Sequence, residues 1–182
     1  MENNLPPNSS PATQNSLSDQ FGYRGSIACD AAGISYRQLD YWARTELVLP
    51  SIQSAAGSGS QRLYSFRDIL VLKIVKRLLD TGVSLQNIRK AVEHVKRSGV
   101  GDLESMTLIS DGSSIYECTT PDEIIDLLAG GQGVFGIAIG KVWQEVEGTL
   151  AHLQKEDVNT GSLYGSAEIV DELALRRKAR GA

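Results

Sequence analysis

Two short helical signals with almost nothing between them constrain this chain more than any other feature. Residues 27–32 follow Ser26, a candidate N-cap, and end at Gly33, which takes the left-handed conformation of a helix stop at no steric cost. Ser35-Tyr36-Arg37-Gln38 then has the S-x-x-Q form of a capping box, and residues 36–45 contain no helix breaker. Two helices joined by so tight a glycine turn make a helix-turn-helix candidate.

The next stretch of chain fits the same motif. Leu47-Val48-Leu49 and Leu63-Tyr64 read as short extended pieces around a Ser/Ala/Gly run over 54–60, the pattern of a hairpin with a loose tip. Ser65 and Asp68 form a second capping box, with Tyr64 and Ile69 at the staple positions and Leu70, Ile74 and Leu78 at four-residue spacing up to Gly82. Ser84 opens another amphipathic helix through Leu85, Ile88, Val92 and Val95, and Gly99-Val100-Gly101 is expected to break the chain. A helix, a hairpin beside it and two supporting helices together meet the geometric demands of docking on duplex DNA. The ordinary alternative is a plain helical core with incidental arginines.

Charge divides the chain in the same place. The net charge is −4, yet residues 26–101 hold eleven Lys and Arg against six acids, +5, and residues 102–157 hold two against eleven, −9. A basic surface concentrates a polyanion, and an acidic neighbour repels it. Two solvated surfaces of opposite sign are the bland reading of the same numbers.

Residues 1–22, rich in Asn, Pro, Ser and Gln, read as a disordered tail, and 23–98 as the DNA-binding module. Residues 102–157 read as a second, small α+β domain. Residues 106–110 and 114–118 flank Asp111-Gly112, a hairpin signal. Thr120-Pro121-Asp122-Glu123 starts a helix, 134–139 reads as a buried strand, and Val142, Trp143, Val146, Leu150 and Leu153 mark a final helix. Residues 158–182 are expected to be linker, beginning near 156, and a helix over 167–180 with acids near its start and bases near its end. The fold class is therefore α+β, a winged helix-turn-helix followed by a small α+β domain.

Several chemistries find no support. Cys29 and Cys118 are far apart with no CxxC or Cys/His group around them, so buried structural thiols are expected rather than a disulfide or a metal site. His94 and His152 are isolated. Residues 131–136 have the form G-x-G-x-x-G but lead from a helix into a strand, the reverse of the dinucleotide-binding order. Residues 136–141 resemble a phosphate loop that is one residue short, with Val142 where Ser or Thr belongs. Glu145 and Glu147 cannot share a helical face, and no nucleophile with a base nearby can be assembled. Neither a cofactor nor an enzymatic activity is expected. No run reaches the roughly 18 to 20 apolar residues of a membrane span. A cytoplasmic, nucleoid-associated location is the expectation.

Residues 26–97 resemble the winged helix-turn-helix of MerR-type transcription regulators. Ser35-Tyr36-Arg37-Gln38-Leu39-Asp40-Tyr41-Trp42 matches the recognition helix, Gln61-Arg62-Leu63-Tyr64-Ser65 the close of the wing, and 68–77 with Gly82-Val83-Ser84-Leu85 the paired helices. The resemblance implies base or groove contacts by Arg37 and Gln38, and a phosphate grip by Arg62 and Tyr64. Tyr41 and Trp42 stand at the family's aromatic pair. The DNA-binding residues expected are Ser35, Tyr36, Arg37, Gln38, Tyr41 and Arg44 on the helix and Gln61, Arg62 and Tyr64 in the wing. It further implies a homodimer on near-palindromic promoter DNA that changes transcription by distorting the duplex, with RNA polymerase as a further partner. Arg-Gln-Leu-Asp-Tyr-Trp beside an acidic domain is similar to an actinobacterial branch linked with control of cell-division genes.

Two departures stand out. Many members carry Thr, an aliphatic residue and Arg where this chain has Gln38, Leu39 and Asp40, and an acid there repels phosphate. Many dimerise through a long helix after the DNA module, which Gly99-Val100-Gly101 interrupts here. Dimerisation is therefore expected through the acidic domain, whose apolar interior near Trp143 and Phe135 is core or a pocket for an unidentified effector. The alternatives are an architectural DNA-binding protein without an effector, or an adaptor whose acidic domain docks a protein partner.

Overall fold

The computed structural model describes residues 20–55, 61–111, 113–129 and 133–165. The expected tail over 1–19, the wing tip at 56–60 and the C-terminal helix over 167–180 lie outside the described residues. In chain order the elements are β1 (Phe21–Arg24), α1 (Gly25–Ala32), α2 (Tyr36–Arg44), β2 (Leu63–Tyr64), α3 (Phe66–Asp80), α4 (Leu85–Arg97) and α5 (Val100–Ser105). There follow β3 (Thr107–Ser110), β4 (Ile115–Cys118), α6 (Pro121–Ala129), β5 (Phe135–Ala138), α7 (Ile139–Leu150), β6 (Lys155–Asp157) and β7 (Leu163–Tyr164).

Local chemistry sets most helix ends. Gly33 closes α1 at φ 72°, and the Ser35 hydroxyl accepts from the Gln38 N–H while the Gln38 side chain accepts from the Ser35 N–H. Ser65 and Asp68 repeat that exchange at the start of α3. The Ser84 hydroxyl accepts from the Asn87 N–H to open α4, and the Glu123 carboxylate accepts from the N–H groups of Thr119 and Thr120 ahead of α6. Each bond meets an orphan backbone group that the helix cannot satisfy internally.

The helix α3 is the centre of the molecule. Ile69, Leu70, Val71, Leu72, Ile74, Val75 and Leu78 are all buried, so it is apolar around most of its circumference and must be enclosed. It packs against α1, α4 and α7. The buried apolar cluster runs without interruption from Ala28 and Trp42 through α3 and α4 to Leu108, Val142 and Leu150. The basic and acidic segments share one core, and α7 packs directly on both α1 and α3.

Two antiparallel sheets flank that core, one ordered β2-β1-β6-β7 and the other β4-β3-β5. In the first, Tyr23 lies opposite Tyr64 and Gly22 opposite Glu156, so the first and last parts of the described chain close on each other. Phe21 meets the Tyr164 ring edge-on at 5.6 Å, with Lys155 Nζ 4.2 Å above the Phe21 ring.

Six sequence expectations require correction. Phe21 and Gly22, assigned to the tail, are strand residues because β6 supplies their partners. Ser26 does not cap α1, which starts at Gly25 with Arg24 at the cap position and no side-chain bond. Leu47-Val48-Leu49 forms no strand; the Leu47 and Val48 N–H groups turn back to the Trp42 carbonyl, and the wing's first arm is Gln53, bridged to Leu63. Gly99-Val100-Gly101 ends one helix but begins another, because the Asp102 carboxylate caps the Gly99 N–H at 3.1 Å. The strand expected to be buried at 134–139 is an exposed edge with only Ile137 buried among residues 135–138, and the expected linker contains β6 and β7. In the phosphate-loop look-alike, Gly140 lies against α5, where a Cβ would come within 2.4 Å of the Glu104 carbonyl. Close helix packing accounts for that glycine.

Candidate nucleic-acid interface

The helix α2 divides cleanly into two faces. Leu39, Trp42 and Ala43 are buried, anchoring one side in the core. Tyr36, Arg37, Tyr41 and Arg44 are exposed on the other, Tyr36 at 63% and Tyr41 at 48%. Two tyrosines in water would be an odd use of apolar surface in an isolated chain; beside two arginines they suit a partner that offers both phosphate and stacked or methyl surface.

Other expected residues serve the fold first. Ser35 and Gln38 are engaged with each other in the capping box, at 3.2 Å from the Gln38 N–H to Ser35 Oγ and 2.9 Å from the Ser35 N–H to Gln38 Oε1. Trp42, half of the aromatic pair, is buried. Tyr64 is completely buried, where the sequence suggested a residue gripping phosphate at the surface; its pairing opposite Tyr23 on the central strand turns it inward. Burial pushes the Tyr64 hydroxyl pKa up, against the opposing pull of the Arg62 guanidinium. Gln61 is exposed and Arg62 half-buried at the base of the wing.

A carboxylate joins wing to helix. Arg62 Nη1 donates to Asp40 Oδ1 at 3.0 Å, and Arg44 Nε lies 2.9 Å from Asp40 Oδ2. The Arg62 hydrogen bond, with Arg44 beside it, holds the Asp40 carboxyl below the usual carboxylate range. Asp40 therefore stays ionised and orients both guanidinium groups instead of merely repelling phosphate. Its tie to Arg44, one helical turn away, was within reach of the sequence; its tie to Arg62 depended on where the wing lies.

Between α2, the wing and the start of α1 is a cleft of about 460 Å³ whose lining includes Arg24, Ser26, Tyr36, Asp40, Arg62 and Tyr64. Arg24 and Ser26 were not expected there. The signal that identifies them is the uncapped start of α1, and the sequence misled on it by offering Ser26 as a cap. Arg24 is held from the far end of the chain, its Nε 2.5 Å from Glu156 Oε2 on β6.

Elsewhere the side chains are structural. Cys29 and Cys118 are both buried free thiols, with pKa values raised by burial. Glu145 is tied to Arg77 Nη2 at 2.6 Å and Lys73 Nζ at 3.5 Å. Trp143 packs on Phe66 with ring centroids 4.6 Å apart, while Phe135 stands apart from it, exposed near Arg77 and Lys141. Among the described residues no cluster of three or more His, Cys, Asp or Glu is placed to hold a metal ion, and no helix is long and apolar enough to cross a membrane.

Comparison with known proteins agrees with this geometry. The family described as MerR HTH family regulatory protein matches residues 23–95. Over 159 residues, 87% of this chain and 70% of theirs, the chain is 63% identical to proteins named as HTH-type transcriptional regulators in Mycobacterium tuberculosis and Mycobacterium bovis. It is 38% identical over 68 residues, 37% of this chain and 22% of the other, to the HTH-type transcriptional repressor CarH of Myxococcus xanthus.

Proposed function

The chain belongs to the MerR family of helix-turn-helix transcription regulators, and from that premise we propose that it binds promoter DNA sequence-specifically as a homodimer. The observation that carries this reading is the exposed face of α2, Tyr36, Arg37, Tyr41 and Arg44, standing beside Arg62 of the wing. In this reading α2 enters the major groove, where Arg37 reaches base edges, and the wing grips the backbone through Gln61 and Arg62. Ser35 and Gln38 hold the N-terminus of the helix in shape while it does so. Near-palindromic sites between promoter elements and contact with RNA polymerase follow from the same premise. Cell-division genes are the proposed targets.

Dimerisation is assigned to the acidic half. α4 stops at Arg97, too short for a long antiparallel helix pair, and Tyr116, Ile125, Leu128 and Phe135 expose apolar surface on that half. Exposed apolar groups of this kind suit a self-complementary contact.

The test is selection of duplexes from sheared genomic DNA by the purified, ligand-free protein at about 0.15 M salt, where surface charges are already well screened. Recovery of a near-palindrome supports a regulator competent without an effector, and Arg37→Ala should then relax its sequence preference. Recovery without any preferred sequence favours an architectural role and removes the specific reading.

A further inference from the structure

A second cleft, of about 500 Å³, lies between α7, the start of α3 and the sheet β2-β1-β6-β7, and shares no lining residue with the cleft beside α2. Its helical wall carries Phe66 and Trp143, and its sheet wall carries Tyr23 and Tyr164. Both walls are braced in advance. Trp143 packs on Phe66 with ring centroids 4.6 Å apart, and Phe21 holds the Tyr164 ring edge-on at 5.6 Å. None of the four lining rings is fully buried: Tyr164 is exposed and the other three are half-buried. The core takes up part of each ring and leaves the rest to the cleft.

Two opposite charges line the same cleft, and neither has a counter-charge among the described residues. Glu147, on α7, is exposed, and its carboxylate makes no ion pair or hydrogen bond there. Lys155, on β6, is half-buried, and its Nζ rests 4.2 Å above the Phe21 ring with no carboxylate beside it. Their sequence neighbours behave differently: Glu145 is paired with Arg77, and Glu156 with Arg24. Glu147 and Lys155 do not meet each other either, which leaves room for a ligand that carries both charges. An ammonium group already seated on an aromatic face and partly shielded from water gains from a carboxylate that joins it there.

We propose that this cleft binds one aromatic α-amino acid, its ring between the helical and sheet walls, its ammonium group at Glu147 and its carboxylate at Lys155. The size is suitable, since small-molecule sites run from about 300 to 1,000 Å³ and combine apolar walls with a few placed charges. Contact with several aromatic rings favours a flat side chain over an aliphatic one. The two charges favour a zwitterion, because an amine or an acid alone makes only one of the two charged contacts. The site uses none of the residues assigned to DNA and goes beyond that reading. Tyr23, on the strand that pairs with β2 of the wing, and Phe66 belong to the basic module and Trp143 to the acidic half, so the ligand touches both.

The test is isothermal titration of the full chain with L-tryptophan and L-phenylalanine. Each is run beside the amine that lacks its carboxylate, tryptamine or phenethylamine, and the acid that lacks its ammonium group, indole-3-propionate or 3-phenylpropionate; L-leucine controls for the ring. At least one of the two amino acids should bind once per chain and about tenfold more tightly than its amine, its acid or L-leucine, the loss expected of one charged contact. Glu147→Gln should weaken the amino acid by a similar factor and leave the acid unchanged. Lys155→Gln should weaken the amino acid likewise and leave the amine unchanged. Thermal melting without ligand checks that both variants fold, and Glu147→Gln, at an exposed position, keeps the claim testable if Lys155→Gln does not.

No binding of either amino acid at about 10 mM, a concentration that fills a site with a Kd near 1 mM, overturns the proposal. An amine that binds as tightly as its parent amino acid overturns it in favour of a site for organic cations. L-Leucine binding equally well removes the aromatic class. Binding that both variants keep unchanged puts the ligand elsewhere on the chain and overturns the cleft. None of these outcomes bears on the affinity for duplex DNA, so the two readings stand or fall separately.

Discussion

Asp40 and Glu145 carry out the same chemistry in two parts of the molecule. Each carboxylate stands between two cations, Asp40 with Arg62 and Arg44, Glu145 with Arg77 and Lys73, and each is held below the usual carboxylate range first by its arginine hydrogen bond. Their settings differ. Asp40 joins the recognition helix to the wing beside a cleft, and the Arg44 side chain is 67% exposed. Glu145 joins α7 to α3, and its Lys73 partner is 18% exposed. The arginine–carboxylate pairs themselves are about equally exposed, Arg62 and Asp40 at 30% and 43%, Arg77 and Glu145 at 35% and 45%. What separates them is place: one pair lies between α2 and the wing, the other is a strut between two core helices.

The largest effect that separates the two should come from salt. A dimer neutralising about 6 to 10 phosphates should lose roughly 10³ to 10⁵ in DNA affinity between 50 and 200 mM salt. The melting temperature of the free protein should hardly move over that range, because surface pairs such as Arg77–Glu145 contribute little. Filter binding and thermal melting read the two quantities, and a flat binding response would remove the comparison altogether.

Next come the arginines themselves. Arg62→Ala should weaken every duplex by a similar factor, roughly tenfold, and lower the salt slope by about one. Arg77→Ala should leave DNA affinity within about twofold. An equal loss from both variants would mean that Arg62 acts on the fold and not on the duplex.

Asp40→Asn removes the competing carboxylate and should raise affinity for random duplexes a few-fold while narrowing the ratio of selected to random binding. Weaker binding to all duplexes would instead make Asp40 a positioning residue that Arg62 depends on.

The smallest effect concerns acid. A carboxyl group with a lowered folded-state pKa contributes stability that is present above its unfolded pKa, about 4.3 for Glu, and is lost as pH falls through the folded value. Glu145→Gln should therefore cost about 0.2–1 kcal/mol at neutral pH and flatten the loss of stability below pH about 4. A variant with the wild-type acid profile would show that the strut contributes nothing.

Much of the helical architecture was readable in advance, because its determinants are local. Ser35 with Gln38, Ser65 with Asp68, and Gly33 act within four residues, so their geometry needs no knowledge of the rest of the chain. The exposed face of α2 was readable too, since Leu39 and Trp42 had to point inward and left Arg37 and Arg44 outside. Ser26 misled because a serine before an apolar run is a sound cap signal, but the helix starts two residues earlier than that cap implies, at Gly25, directly after β1, which pairs with β2 and β6. The buried strand expected near residue 137 misled because an apolar run does not show whether its strand is central or at an edge.

The sequence by itself determined the helix-turn-helix, the ends of its main helices and the exposed polar face of α2. Tertiary structure alone decided that Tyr64 turns inward, that Asp40 reaches Arg62 across 22 residues, and that Glu156 reaches Arg24 across 132. The physical reason is range. Caps and helical faces follow from torsions and spacing within a turn or two, whereas the partner of a strand or an ion pair is chosen only when a shared core brings distant segments together.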